Sequence, residues 1–458
     1  MSNPAKQTKA FFTRLQPGIR KGNLGTFYFI AFVTICLASL INMLQPFMLS
    51  EFLGLPTDEH GVPTGQLAFA SELVMIALVG FFGILSDRTG RRRVYGFGLL
   101  VMGIGFAITP LSNSIEMLIL TRCVYAIGVA AATAMLAIVL ADYVVDEDRG
   151  KATGIMGFMN GLGAMISAMV LMKVPSWLTN GGMEATEAGW YTYVGVAIFA
   201  AFSSLIAWNL LSGVRPSKKP GSEEAKVPFL QSAKIGLKAA KDPGIALSYA
   251  ASFVARPDLA IVALFMPLWI SKYGQEILEL PVQEALAMAG PVLACCFGAS
   301  LLFAPIIGII TDRINRVGAV SLALLINTVG YGLTFFITNP TGGMMMGVMV
   351  LIGMGQVSGV ITSQVLIQQQ APAAQRGSII GLFGLAGAVG ILLCSYVGGI
   401  LFDGFGSSGP FVLLAAMNGL VALWGLAIMN RVQPPVQDAH PLPAEQAAEA
   451  VAEERSAA

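Results

Sequence analysis

Gly83-Ile-Leu-Ser-Asp87-Arg88-Thr-Gly90-Arg91-Arg92 closes one long apolar run, and Gly308-Ile-Ile-Thr-Asp312-Arg313-Ile-Asn315-Arg316 closes another. Gly83, Asp87, Arg88 and Arg91 each recur 225 positions later, about half of the 458-residue chain. A second anchor, Arg149-Gly150-Lys-Ala-Thr-Gly154-Ile-Met-Gly157, returns as Arg376-Gly377-Ser-Ile-Ile-Gly381-Leu-Phe-Gly384 at an offset of 227. Two charged turns repeated in the same order imply one helical unit copied and fused in parallel. Solute carriers are built on that kind of duplication.

The composition agrees. The chain is 55% hydrophobic and 12% charged, with mean hydropathy +0.72, whereas a soluble protein carries roughly a quarter charged residues. A membrane-crossing helix needs about 20 mostly apolar residues. About twelve such runs are present, near 26–49, 66–86, 94–112, 115–140, 152–174, 190–212, 244–271, 285–311, 317–337, 344–366, 378–401 and 409–430. The expected fold is therefore all-α: a polytopic membrane protein of twelve transmembrane helices in two parallel six-helix repeats. The divisions are an N-terminal arm (1–25), a first bundle (26–212), a linker (213–243), a second bundle (244–430) and a polar, disordered tail (431–458).

Charge placement sets the expected orientation. With the N-terminus inside, twenty-three of the 27 Lys and Arg residues fall on the cytoplasmic side. Only Lys173 and Lys272 lie outside, and Arg122 and Arg256 fall within spans. The outer loops carry Glu51, Asp58, Glu59, Glu184, Glu187, Glu276 and Glu279 instead. The positive-inside rule puts both termini in the cytoplasm. The basic N-terminus lacks the apolar core and cleavage site of a signal peptide, so the first span is expected to direct insertion. All five cysteines lie in apolar runs, as small buried residues do, and His60 and His440 are far apart in sequence. No metal site is expected. In the linker, Leu230, Ala233 and Leu237 share one helical face and Lys234, Lys238 and Lys241 another. That pattern suits a helix on the anionic inner leaflet or an ordinary solvated linker helix.

The first charged turn matches Gly-x-x-x-Asp-Arg-x-Gly-Arg-Arg without a mismatch, and the second departs only at Asn315. Leu118-x-x-x-Arg122 continues to Ala126-Ile-Gly128-Val-Ala-Ala, with Ala126 where glycine is common. On these residues the chain resembles the major facilitator superfamily over its whole membrane portion. The resemblance implies transport by alternating access, with spans 1, 4, 7 and 10 lining a central cavity. It also implies a latch: Asp87 would accept hydrogen bonds from the N-terminus of the eleventh span, near Ser378, and hold the outward-open state. Arg91, paired with Asp142, would tie that latch down. Gly83, Arg88 and Gly90 complete the first turn, and Asp312, Arg313 and Arg316 the second. The alternative is that these residues set only topology and packing.

Charges inside the membrane cost roughly 2.5–3.5 kcal/mol each on insertion scales, so each needs a partner or a wet cavity. Arg122 and Glu72 each lie about two turns from the outer side, at similar depth, and two readings stay open for Arg122. Either it serves substrate or proton, or it forms a structural ion pair with Glu72. Met349 stands at the corresponding position of the second half. Arg256-Pro257-Asp258 lies near the middle of the seventh span; residues two apart on a helix have different neighbours, and function is favoured for both charges. Asn42, Gln45, Gln356, Thr362 and Gln364 fall on cavity spans, able to bind a solute or to join helices. The glycines of the fifth and eleventh spans suit close helix contact, and Met344-Met-Met346 reads as lipid-facing. No proline lies between Lys151 and Val174, where drug/proton antiporters of the family carry Gly-Pro.

Phosphate-loop, metal and catalytic patterns are absent, so neither an enzyme nor an ATP-driven pump is expected, and no cofactor. The expected function is secondary transport of a small, anionic organic solute across the inner (cytoplasmic) membrane. A guanidinium binds carboxylate or phosphate bidentately, and Glu72 or Asp258 would carry a coupling proton. The alternative is proton-driven efflux of amphipathic compounds. A transporter-like sensor or a channel fits less well, since no output domain follows and a duplicated latch is a device for alternation. The expected partners are the solute, a proton and the bilayer, not nucleic acid, with the chain a monomer.

Overall fold

The computed structural model describes residues 9–213, 229–372 and 375–432. Lipid offers no hydrogen bonds, so the backbone must satisfy itself in helices. Twelve helices are long and apolar enough to cross a membrane. They are α1 (Lys21–Met43), α2 (Gly61–Thr89), α3 (Arg91–Ile108), α4 (Ile115–Tyr143), α5 (Arg149–Met169) and α6 (Ala185–Leu210). The second six are α7 (Pro243–Glu276), α8 (Ala289–Arg313), α9 (Arg316–Leu333), α10 (Gly343–Gln370), α11 (Arg376–Gly404) and α12 (Gly409–Ile428). Ends differ from the expected spans by up to six residues. Helix α1 begins at Lys21, inside what sequence reading took as the arm, and a short helix Val174–Asn180 follows α5.

The repeat seen in sequence is a repeat in packing. Helix α1 packs on α5, α2 on α4, and α3 on both α4 and α6. In the second half α7 packs on α11, α8 on α10, and α9 on both α10 and α12. The halves meet chiefly through α2 with α11 and α5 with α8. The two charged turns lie at one face of the bundle, the turn face, opposite the far face.

The turns are not identical, for a reason visible in the backbone. Gly90 sits at φ +101°, which a side chain would strain. Asn315 has φ −54° and instead caps α9, its side-chain oxygen accepting from the N–H groups of Val317 (2.8 Å) and Gly318 (3.4 Å). The departure from the repeat is a change of turn, with the charged residues kept.

Among the described residues the tightest contacts between the halves lie toward the far face. A Cβ on Gly65 of α2 would lie 2.8 Å from the Ser395 carbonyl of α11, and one on Gly290 of α8 would lie 2.7 Å from the Ala168 carbonyl of α5. Phe69 meets Tyr396, ring centroids 5.6 Å apart. On α2, positions 61, 65, 69, 72, 76, 80, 83 and 87 form one stripe by the i+3/i+4 rule. The start of that stripe is clasped to α11. Its other end is empty: a Cβ on Gly80 would meet nothing within 4 Å, nor would one on Gly154, Gly157, Gly308, Gly381 or Gly384. Toward the turn face no such interlocking is seen at the described glycines, and we read the gap left between the halves there as a vestibule.

The N-terminal arm is partly folded. Lys9–Ala10 and Thr13–Arg14 pair as a two-residue-loop hairpin whose turn residues, Phe11 and Phe12, have φ +48° and +62°. Arg14 donates to Asp148 from its backbone N–H (2.9 Å) and its Nε (2.8 Å), and Gln16 N–H donates to Tyr143 O (2.9 Å). The hairpin is thereby tied to the α4–α5 connection. The linker contributes one helix, Phe229–Ala239, whose Gly236 packs on Ser378 and Leu382 of α11 while Lys234, Leu237 and Lys238 are exposed. The expected disordered tail falls outside the described residues beyond 432.

Arg14 holds the Asp148 carboxyl well below the usual carboxylate range, chiefly through its hydrogen bonds. The pair is therefore intact above about pH 4, the range of an unfolded aspartate, and is lost only as stronger acid protonates Asp148 in the fold. Hydrogen exchange of residues 9–16 should be unchanged from pH 7 to pH 5 after correction for intrinsic rates, and Asp148→Asn should raise it at neutral pH.

Candidate functional site

The four charges buried in the spans end up in three different surroundings. Arg122 of α4 is 6% exposed. Its guanidinium donates to Asn42 Oδ1 and to Gln45 Oε1 (3.3 Å) of the α1 end, and lies 5.9 Å from the centroid of the Tyr125 ring. That is within cation–π range. Gln45 Nε2 in turn donates to Thr64 Oγ1 of α2 (2.7 Å). The void beside Arg122 measures only about 10 Å³, between Met48, Leu67, Leu118 and Tyr193. Room for a solute is lacking. The Arg122–Glu72 ion pair, one of the two readings left open for Arg122, is not formed, because equal depth fixes height in the membrane and leaves the direction each side chain faces open. Asn42 and Gln45 are consumed by Arg122 and Thr64, and so join helices.

Asp258 of α7 is fully buried within the second half, away from the vestibule. Its Oδ2 accepts from Asn327 Nδ2 of α9 (2.6 Å) and its Oδ1 from Asn418 Nδ2 of α12 (3.1 Å). Its carbonyl accepts from Gln356 Nε2 of α10 (2.8 Å) and Tyr331 OH of α9 (3.2 Å). Four helices are thus sewn together around one residue. Gln356, expected on the cavity, belongs to this network, and Thr362 donates to Ser358 O (2.8 Å); Gln364 alone of the α10 trio is exposed.

Arg256, immediately before Pro257, does face the vestibule. Proline removes the N–H that would bond the Phe253 carbonyl, and that carbonyl and Pro257 pack on Gly390 of α11. Arg256 lays its stem over Gly387, where a Cβ would sit 2.9 Å from its Cγ, and its head is exposed. Its charged neighbour is Glu72, which is 6% exposed on the α2 stripe just past the last contact with α11. Neither closes an ion pair within 4.0 Å among the described residues. Glu72 of one half and Arg256 of the other are thus near enough to feel each other's charge across the divide, without closing an ion pair.

The turn face carries the expected Arg91–Asp142 pair, Nε to Oδ2 at 2.9 Å. Arg91 also contacts Asp87 (2.6 Å), whose carboxylate is 64% exposed. Asp87 does not reach α11 in this splayed arrangement. Arg88 and Arg313 are exposed, Arg316 donates to the Thr311 carbonyl, and the Asp312 side chain lies outside the described residues. On the far face Asp403, at the end of α11, accepts from the N–H groups of Gly61 and Val62 at the start of α2, both at 2.7 Å. Thr57 donates to Glu276 beside it. Asp403, Asn327 and Asn418 are further polar residues of the bundle; a search for polar residues in every span, not only the four cavity spans, raises Asn327 and Asn418, whereas Asp403 stands just past the expected end of the eleventh span. Among the described residues no group of three His, Cys, Asp or Glu side chains could hold a metal.

A family model described as Major Facilitator Superfamily matches residues 27–395, with a second match over 285–457. The chain belongs to the Major Facilitator Superfamily. It is thus a multi-pass membrane protein of a family of small-molecule transporters, not of enzymes. Among relatives, the Magnetosome protein MamH of Paramagnetospirillum magneticum is 27% identical over 412 residues, 88% of this chain and 92% of that protein. Magnetosome protein MamZ of the same organism is 25% identical over 407 residues, 87% of this chain and 61% of its own length. The solved structure of the nucleoside transporter NupG has the same superfamily fold: TM-score 0.67 at 15% identity, covering 90% of this chain and 99% of that one.

Removing Arg122 or Asp258 leaves buried amides unpaired, at about 1–3 kcal/mol per orphaned group. Arg122→Met and Asp258→Ala should each lower the melting temperature in detergent. Solute binding at saturating concentration should survive in both, because neither side chain reaches the vestibule.

Proposed function

We propose that this chain moves a small anionic solute across the cytoplasmic membrane by alternating access, coupled to a proton. The observation that carries the reading is the Glu72–Arg256 juxtaposition at the apex of the open vestibule. Arg256 is the one intramembrane arginine whose head is exposed, and a guanidinium recognises carboxylate or phosphate. Arg122 is withdrawn from that role by its buried partners.

The same juxtaposition supplies a coupling mechanism. While Glu72 is ionised it offsets the charge of Arg256 across the narrow gap between halves. A proton taken up by Glu72 removes that offset, so Arg256 attracts the anion more strongly; anion and proton then load together. Burial of both charges without partners is costly, whereas the neutralised pair of sites can be enclosed as the halves rock about them. Opening toward the far face hydrates Glu72 again and releases both. Asp87, with Arg91 and Asp142 behind it, would meet the start of α11 when the turn face closes, and the turn at Asp312, Arg313 and Arg316 would support the corresponding contact. Charge placement along the sequence supports a cytoplasmic turn face and cytoplasmic termini. The bodies that rock are residues 26–212 and 244–430, and the working unit is the monomer. Proton-driven efflux of amphipathic compounds is the second reading; it predicts an aromatic rather than a charged vestibule, and the exposed head of Arg256 weighs against it. The likeness to magnetosome proteins adds the membrane of that organelle as a second location, which fractionation of cells expressing a tagged chain decides.

Thermal-shift screening against organic carboxylates and phosphate esters should first yield a stabilising solute. Uptake of that solute into proteoliposomes should rise with a proton gradient directed along it. Arg256→Gln should raise the half-saturating concentration at least tenfold. Glu72→Gln should abolish the gradient effect while sparing solute exchange. Flux indifferent to the gradient refutes the coupling, and an unaltered half-saturation in Arg256→Gln refutes the anion site.

A further inference from the structure

We propose that Asp403 is a second latch, reciprocal to Asp87, which holds the far face shut while the vestibule is open to the turn face. The proposal rests on the alternating-access reading and adds a residue with no place in it. Its ground is the pair of 2.7 Å bonds from the Gly61 and Val62 N–H groups to the two oxygens of Asp403.

Those N–H groups open α2 and so have no partner within the helix. Each carboxylate oxygen takes one of them, at the positive end of a 29-residue helix. The contact is therefore charge-assisted, two-pronged, and made between the halves. Glycine makes it reachable. A Cβ on Gly65 would lie 2.8 Å from the Ser395 carbonyl, and one on Gly61 would strike Asp403 itself. Thr57, donating to Glu276, adds a second tie between the α1–α2 connection and α7, and Lys272 pairs with Glu276 within α7 at 3.8 Å.

The arrangement inverts the one that family resemblance implies at the turn face. There, the acid ending α2 is expected on the start of α11; on the far face, the acid ending α11 sits on the start of α2. Both acids lie on the two stripes that face each other, Asp87 on that of α2 and Asp403 on that of α11, with positions 403, 399, 395, 392, 388, 384, 381 and 377 in line. Packed helices pivot as stiff rods. Closing one end of the α2–α11 pair opens the other, so only one latch is made at a time. The carboxylate and the two N–H groups must be hydrated when the far face opens, which sets the resistance to that motion.

Spin labels on cysteines placed at Glu59 and Phe405 read the far face, and labels at Thr153 and Gln375 read the turn face, in the full chain in proteoliposomes. Asp403→Asn keeps the shape but loses one acceptor and the charge. Val62→Pro keeps Asp403 and deletes one donor at a helix start where proline is tolerated. Each should raise the long-distance fraction at the far face at least threefold and shorten the turn-face distances. Asp87→Asn should do neither. If Asp403→Asn and Val62→Pro both leave the far-face distances as in the parent, while a proton gradient still shifts them, the latch is refuted and alternation stands. If nothing shifts them, both fall.

Discussion

An unpartnered charge or backbone dipole in hydrocarbon is the constraint from which this architecture follows. It forces the backbone into helices, and it then forces each of the four intramembrane charges to find its own accommodation. Arg122 takes two side-chain oxygens and an aromatic face; Asp258 takes two amide donors and lends its carbonyl to two more. These two settle the interior of one half each. Glu72 and Arg256 are left without such hydrogen bonds among the described residues, and of the four charges these two interact across the divide between halves. A charge that costs the most to leave unpaired, placed where the surroundings change with conformation, is the natural point for a ligand to act.

The glycines have a corresponding division of labour. Those at 65 and 290 permit backbones to touch across the halves at the far face, and those at 387 and 390 let α11 nest against the proline-loosened α7. The glycines at 154, 157, 381 and 384 touch nothing in this arrangement. Their conserved smallness across both copies of the repeat makes sense as clearance kept for the opposite arrangement, in which the turn-face ends approach.

What was legible in the sequence, and what was not, follows the same physics. The spans, the duplication and the Arg91–Asp142 pair could be read because each depends on spacing along the chain: apolar length, a fixed offset, a charge at a helix end. The partners of Arg122 and Asp258 could not, because they depend on the rotation of helices about their axes, which an apolar span with little amphipathic pattern does not reveal. Hence depth alone set Glu72 level with Arg122 without saying which arginine it approaches. The hairpin was hidden for another reason. Phe11 and Phe12 occupy left-handed backbone where Asn-Gly is the usual signal, a strain of roughly 1–2 kcal/mol per residue. It is offset by tertiary ties, Phe11 against Tyr28 (ring centroids 5.6 Å) and Arg14 to Asp148.

The splayed form also reshapes the electric field. Water in an open vestibule conducts, so a voltage across the bilayer falls mainly over the dry plug between Glu72 and Gly61 and much less along the wetted funnel below. Glu72 and Arg256 border that plug. In the alternation proposed above the plug would move to the other side of them, and these groups would cross most of the potential without travelling far. One elementary charge carried through the full drop is worth about 2.3 kcal/mol per 100 mV. Any net charge bound at the apex would therefore make that swing voltage-driven.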